Sequence, residues 1–534
     1  MAGSSEMSAP RVQRRAEWAA IAAGALAVLL VHLEIVVRRT GVARFTFDSA
    51  EYALAGRMLA HTGRLATPFA HPSVLASIPG PPFPLIVGHP LVPVLDALVF
   101  ALGGARPALT LVPTAIAYLA AAVLTAALAR RVSASRAVPW IAAGAFALSP
   151  IVLRFATEGL SELPFTALFA GALVLLWDLP ERPRPFVLGL VLGLGHLARP
   201  VVVPLLPAWI AATWALSPPG RRGSAVGRLL AGFLPCAAAL ALYKWVAIGN
   251  PFADVAGYLL LARTAPGLTI ARLNRTFPAP TPWGALAAHP AALLDKMVAH
   301  APSLLYAAFT RTGRVIGALV LFRLVLPGAG RERVFRLTVL ACALLLAALA
   351  LATVPDPRMV LPLVPAFLAL GLDEADRLAR ARGLGNAGAL ALGLALALGS
   401  SALPALATWR DAWREHAPAE GRFRESEWRD LGAALDRVLP REGLVASDAA
   451  PWIAWYAGRN ATLVPLEPAM LTPMDRRSRI GAVALTNEWL IDQPGEEVWR
   501  AWFEGTARDP GWVRADSVSA GRLAAVVFVP RGAP

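Results

Sequence analysis
Cysteine is almost missing from this chain: of 534 residues only Cys236 and Cys342 carry a thiol, and both lie inside apolar runs. That excludes a disulfide framework and a zinc site, and it leaves both as packing residues. Charge is scarce as well, at 16% against 57% hydrophobic residues, with a mean hydropathy of +0.56. Such a balance excludes a soluble protein of this length and defines a polytopic α-helical membrane protein. Lysine is confined to Lys244 and Lys296, so arginine carries the net charge of +15. No basic stripe interleaved with aromatics accompanies that charge. Nearly all the cations fall in short loops between apolar runs, which excludes nucleic acid as a partner and points to membrane orientation.

What is present is organised around residues 45–64, FTFDSAEYALAGRMLAHTGR. The pattern of Leu54, Met58 and Leu59 with Arg57 and His61 between them predicts a short amphipathic helix at a membrane surface. Asp48 and Glu51 are three residues apart and would share the first turn of that helix. One reading makes them functional carboxylates; the other makes Asp48 the N-cap and Glu51 its partner at the helix dipole.

Residues 1–16 form a polar tail with Arg11, Arg14 and Arg15, followed by an apolar run over 17–37 long enough to cross a bilayer. The run at 85–102 is interrupted by Pro90, Pro93 and Asp96, which predicts a re-entrant or surface-lying segment. Further runs fall at 108–129, 137–153, 160–177, 186–198, 200–216, 229–248, 303–326, 337–354, 359–375 and 386–408, giving eleven crossings with the first. That parity gathers Arg130, Arg131 and Arg136, Arg182 and Arg184, Arg221, Arg222 and Arg228, Arg331, Arg333 and Arg336, and Arg377, Arg380 and Arg382 on the cytoplasmic side. The outer side receives loops 38–107 and 249–302, the turn at 355–358 and everything after 408. Asp48, Glu51, Glu158 and Glu162 thereby meet on one face. Residues 409–534 lose the apolar runs and read as a small extracytoplasmic α/β domain, with a helix in SEWRDLGAALDRVLP and strands in GLVASD, ATLVPL, GAVALT and LAAVVFVP. This part holds no Gly-rich phosphate loop, nucleophile elbow or metal-ligand spacing.

Several segments resemble, in order, the GT-C superfamily of membrane glycosyltransferases, which includes protein O-mannosyltransferases and the bacterial lipid A aminoarabinose transferase. FDSAEYALAGRMLAHTGR is similar to the acidic first-loop motif and PGPPFPLIVGHPLVPVLDALVFALGG to a proline-aromatic surface segment. ALSPIVLRFATEGLSELPFTALF resembles the second-loop motif, HLARPVVVPLLP an Arg-Pro break, and PDPRMVLPLVPAFLALG the motif of a late span. ASDAAPWIAWYAGRNATLVPL resembles the post-membrane domain of bacterial members. Where that family often has two adjacent acids, this chain has Asp48 followed by Ser49, so Asp48 is the match.

The resemblance implies transfer of a sugar from a polyprenyl-phosphate donor to a hydroxyl on a glycan, lipid or protein acceptor at the outer membrane face. An inverting single displacement needs one carboxylate as base, and Asp48 is the candidate, with Glu51 beside it. Glu162, Glu158 and Asp48 are candidate ligands for a divalent cation such as Mg²⁺ or Mn²⁺. Arg199 and Arg358 stand beside prolines at outer span ends, where a guanidinium either grips the donor phosphate or snorkels to headgroups. His61 and His89, with His71, lie in or beside the first outer loop and are further candidates, though His-Pro pairs in loops are more commonly structural than essential. Lys244 has a snorkelling alternative, and Trp452, Trp455 and Tyr456 either stack on a sugar or pack a small domain. Two rival classes use the same membrane frame. A transporter or flippase would carry ionisable residues near the midplane, whereas these acids gather at the mouth. An oligosaccharide ligase or polymerase would share the lipid-linked donor.

Overall fold
The computed structural model describes residues 9–532 except 43–44, 76–77, 79, 86–88, 253–255, 266–267, 270–272, 274, 276–280, 326–331, 353–355, 416–422, 489–496 and 508. The predicted inner-loop Arg331 lies outside the described residues.

The apolar runs become helices: α1 (Ala9–His32), α2 (Phe47–Thr62), α3 (Leu91–Gly103), α4 (Leu111–Val132), α5 (Val138–Ala147), α6 (Pro150–Ala156), α7 (Glu162–Asp178), α8 (Pro185–Ala198) and α9 (Val202–Leu216). They continue as α10 (Arg222–Ile248), α11 (Pro290–Thr312), α12 (Arg314–Val325), α13 (Glu332–Ala352), α14 (Val364–Ala381), α15 (Asn386–Ala397) and α16 (Leu403–Glu415). Among the described residues five helices are long and apolar enough to cross a membrane, or up to seven if each of two bent pairs is one span.

The five are the long apolar helices alone, whereas the eleven runs of the sequence include shorter apolar helices and helices broken by a bend. The 17, 14 and 15 residues of α7, α8 and α9 make helices of about 26, 21 and 23 Å, which fall outside the five. The run at 85–102 yields the 13-residue α3, about 20 Å long, which starts after Pro90 and carries Pro93 in its first turn. The run at 303–326, expected as one span, is instead broken at Gly313, where α11 and α12 meet at 116°. Gly313 has φ +100°, and a Cβ there would lie 2.4 Å from the Ser400 Cβ, so only glycine fits the corner.

The bundle buries Tyr118, Phe146, Phe165, Trp177, Trp209 and Phe335 in one core. Helices α8 and α10 approach backbone to backbone: a Cβ on Gly189 would lie 1.9 Å from the Leu229 carbonyl oxygen, and one on Gly232 would lie 2.2 Å from that of Phe186. At one end of the bundle Arg131 clamps both oxygens of Asp178 at 2.7 Å each, and Arg130 pairs with Glu17 at 2.5 Å.

After α16 the chain builds α17 (Glu425–Val438) and α18 (Ala450–Tyr456) around a six-stranded sheet. Two short strands pair antiparallel in the first loop, β1 (Ala66–Thr67) with β3 (Phe83–Pro84). Between them in the chain, β2 (Phe69–Ala70) joins the larger sheet, whose order is β2-β5-β4-β6-β8-β7, with β4 (Leu444–Ser447), β5 (Ala461–Leu463), β6 (Ile480–Thr486), β7 (Trp512–Ala520) and β8 (Leu523–Pro530). β2, β5, β4 and β6 run parallel, and β8 and β7 continue antiparallel. The sheet is thus completed by two residues from the first loop, Phe69 pairing with Ala461. Helix α2 is fastened to the same unit: Arg57 donates to the Ala454 and Trp455 carbonyls at 3.1 and 3.3 Å and lies 4.5 Å over the Trp455 ring. Trp452 and Trp455 are buried, Trp452 stacking on Trp428 at 5.2 Å, as core packing requires.

Candidate active site
The N-terminus of α2 is capped by Thr46, not by Asp48. Thr46 Oγ1 accepts from the Ser49 N–H at 3.3 Å, and Ser49 Oγ accepts from the Thr46 N–H at 2.7 Å. This reciprocal box satisfies two of the helix's orphan donors and corrects the reading of Asp48 as the cap. Asp48 is therefore released from local duty, and its side chain, 44% exposed, accepts from Arg358 Nη1 at 3.0 Å.

Arg358 is placed by the 3-10 turn Pro357–Leu363, whose cap is Asp356: Asp356 Oδ1 accepts from the Arg358 N–H at 2.9 Å. The other Asp356 oxygen lies 3.1 Å from Arg358 Nε, and Glu162 Oε1 lies 3.6 Å from the same atom. Glu162 opens α7 with its side chain only 2% exposed, and its Oε1 also accepts from Arg199 Nη2 at 2.6 Å. Arg199 ends α8 in extended conformation at the Arg-Pro break and donates to Met359 Sδ at 3.0 Å. Burial alone would lower the Arg358 guanidinium, but Asp48, Glu162 and Asp356 outweigh it and hold it above its ordinary value.

Asp48, Glu162, Arg199 and Arg358 thus meet as one network drawn from four segments. The cluster lies at the N-terminal end of α7, while the Arg131–Asp178 clamp lies at its C-terminal end, about 26 Å away along the helix. Sequence reasoning missed Asp356 and Tyr52. Asp356 was signalled by its place one proline before Arg358, a helix-cap spacing. Tyr52 follows Asp48 by four residues and so shares its helix face. Its phenol is pushed above the ordinary value by burial, then by Asp48 and Glu162, and hydrogen-bonds Ser161.

Other candidates stand apart from this network. Glu51 is buried with His71, whose Nε2 is 3.5 Å from Glu51 Oε2, and His71 packs edge-on against Phe69 at 4.9 Å. Glu158 accepts from Arg154 Nε at 2.8 Å, one helical turn back. His61 lies 13 residues beyond Asp48, about 20 Å along α2, with its Nδ1 2.9 Å from its own helix's Arg57 carbonyl. There it lines a cavity of about 180 Å³ with Leu54, Arg57, Met58 and Pro68. His89 is brought beside Arg199, His196 and Lys244; burial first, then these three neighbours, push its imidazole down to about 3, so it is neutral at pH 7.

The predicted Mg²⁺ or Mn²⁺ does not fit the groups assigned to it. Such an ion wants several oxygens in near-octahedral array. Asp48, Glu162 and Glu158 are each engaged by an arginine, and only Glu162 Oε2 is buried without a hydrogen-bond partner among the described residues. Among the described residues no group of three His, Cys, Asp or Glu is placed to hold a metal.

The fold is similar to that of several solved membrane glycosyltransferases. It is similar to the archaeal oligosaccharyltransferase AglB from Archaeoglobus fulgidus, solved with an inhibitory peptide and a dolichol-phosphate, at TM-score 0.53 and 14% identity over 90% of this chain and 71% of AglB. ArnT from Cupriavidus metallidurans, solved with undecaprenyl phosphate, matches at TM-score 0.53 and 12% identity over 95% of this chain and 97% of ArnT. The mycobacterial arabinofuranosyltransferase AftD matches at TM-score 0.50 and 17% identity over 95% of this chain and 41% of AftD. No family model and no curated protein sequence matches the chain.

Proposed function
We propose that this chain is a glycosyltransferase that moves a sugar from a polyprenyl-phosphate carrier to an acceptor hydroxyl, inverting the anomeric centre, with Asp48 as base. One observation carries this reading: a carboxylate freed from capping by Thr46 and Ser49, half exposed, and joined through Arg358 and Glu162 to a second arginine, Arg199. The lipid phosphates bound to AglB and ArnT support the choice of donor class.

In the reaction the acceptor oxygen attacks the anomeric carbon as its proton passes to the Asp48 carboxylate, and the bond from that carbon to the phosphate oxygen breaks. The carrier leaves as polyprenyl phosphate. Arg199 faces the departing charge, with Lys244 as a further cation. Glu162 Oε2, buried and without a partner among the described residues, is suited to accept from a sugar hydroxyl. Arg358, predicted as a phosphate ligand, already faces three carboxylates and serves to hold Asp48.

The same reading sets the orientation: the tail 1–16 cytoplasmic, the helical unit 17–408 in the plasma membrane, and the network and residues 409–534 outside it. The arginine-rich end with the Arg131–Asp178 clamp then faces the cytoplasm. Labelled sugar transfer from a panel of polyprenyl-phosphate sugars and lipid-linked oligosaccharides to membrane extract tests the proposal, with purified wild type against Asp48→Asn. Transfer by the wild type that is lost in a folded Asp48→Asn supports it. Transfer unchanged in Asp48→Asn removes Asp48 as base, and activity with oligosaccharide donors alone selects the ligase class.

A further inference from the structure
Three carboxylates converging from three chain segments ordinarily need a cation. Asp48 comes from the first turn of α2, Glu162 from the first residue of α7 and Asp356 from the cap of the turn before α14. Here the cation is a side chain. The Arg358 guanidinium lies 3.0 Å from Asp48 Oδ2, 3.1 Å from Asp356 Oδ2 and 3.6 Å from Glu162 Oε1. Glu162 Oε1 is shared further with Arg199 at 2.6 Å. Asp48 Oδ2 accepts from Arg358 Nη1 and Glu162 Oε1 from Arg199 Nη2, while Asp356 Oδ2 lies at ion-pair distance from Arg358 Nε without a hydrogen bond.

We infer that Arg358 is the built-in cation of this site: it stands between Asp48, Glu162 and Asp356 in the place a divalent ion would take, and it organises the carboxylates without one. Its planar fork suits the task, because it presents donors to separate carboxylates in fixed directions and stays charged at every working pH. A divalent ion entering the cluster would meet that positive charge at contact distance and find its oxygens turned to the arginine. The turn itself locks the arrangement, since Asp356 also holds the Arg358 backbone N–H at 2.9 Å. Arg358 is on this view a positioning residue that acts through Asp48. In its activity arm this inference rests on the glycosyl-transfer reading; its binding arm does not.

The test compares Mn²⁺ binding, followed by the electron paramagnetic resonance of free Mn²⁺, in purified full-length wild type, Arg358→Gln and Arg358→Lys. Wild type and Arg358→Lys are expected to bind no stoichiometric Mn²⁺. Arg358→Gln is expected to gain about one equivalent, because three carboxylates lose their counter-charge, and to lose it again when Asp48→Asn is added. Transfer by the wild type is expected to stay within about two-fold after treatment with EDTA. One equivalent of Mn²⁺ on the wild type that Asp48→Asn or Glu162→Gln removes would overturn the inference. So would a folded Arg358→Gln, judged by its melting transition, that binds none, or a loss of transfer on chelation that Mn²⁺ restores. Absence of transfer from every donor would sink the transferase reading while leaving the Mn²⁺ result to decide this one.

Discussion

The two ends of α7 each carry arginine–carboxylate contacts, and they differ in what is left over. At the C-terminal end Asp178 gives both oxygens to Arg131, each at 2.7 Å, so one acid and one base close on each other. At the N-terminal end Glu162 shares one oxygen between Arg199 and Arg358, keeps the other without a partner among the described residues, and joins Asp48 and Asp356 around the same guanidinium. A closed pair has no capacity to bind anything else. The open network has an excess of carboxylates, an accessible Asp48 and a buried acceptor atom, and that surplus is what distinguishes a candidate site from a staple.

The comparison breaks most sharply at Asp48. Asp48→Asn should lower kcat for transfer by about 10²–10⁴-fold, the range of a lost general base, with the melting temperature unchanged because Thr46 and Ser49 keep the cap. Steady-state kinetics and a thermal melt on the same sample decide it. Next, Glu162→Gln should lower kcat/KM about ten-fold or more, since it weakens the bridge between Arg199 and Arg358 and replaces the partnerless acceptor oxygen. A loss confined to stability would place Glu162 with the staples.

The closed end predicts the reverse pattern. Arg131→Ala should cost about 1–3 kcal/mol of stability by leaving Asp178 without its clamp, and leave transfer per folded molecule unchanged. The smallest effect is expected at another closed carboxylate, Glu427 of α17, which accepts from the Arg424 N–H at 2.6 Å and the Arg522 N–H at 2.9 Å. Burial would raise its carboxyl, but these two backbone donors, with Arg522 and Arg424, bring it below its ordinary 4.5. A carboxyl depressed on folding stabilises at neutral pH, and that contribution is lost as pH falls below 4.5 and through the folded value. Melting curves taken at falling pH should show a slope in that window that is absent in Glu427→Gln; equal slopes would break the assignment.

Much of the helical frame was legible because helix formation in an apolar run is a local matter: residues 229–248 fall inside α10 and 337–354 overlap α13 almost throughout. The bend at Gly313 was not legible, since it depends on Ser400 from a distant helix occupying the space a Cβ would need. Strand β7 escaped notice because its exposed run around Arg514, Asp516 and Ser517 lacks the apolar alternation that marks a strand. Two residues at β2 carry too short a pattern to be seen at all.

The site divides in the same way. Composition and the order of runs pointed to a membrane protein, and topology with the family resemblance put forward Asp48, Glu51, Glu158, Glu162, Arg199 and Arg358, with His61 and His89 beside them, because hydropathy and residue chemistry are properties of the chain itself. Only the tertiary structure decided that Glu51 turns to His71 and that Arg358, held by Asp356, closes on Asp48 across 310 positions. Those outcomes depend on which side chains arrive at one point in space, and a carboxylate's role is set by the partner that reaches it first.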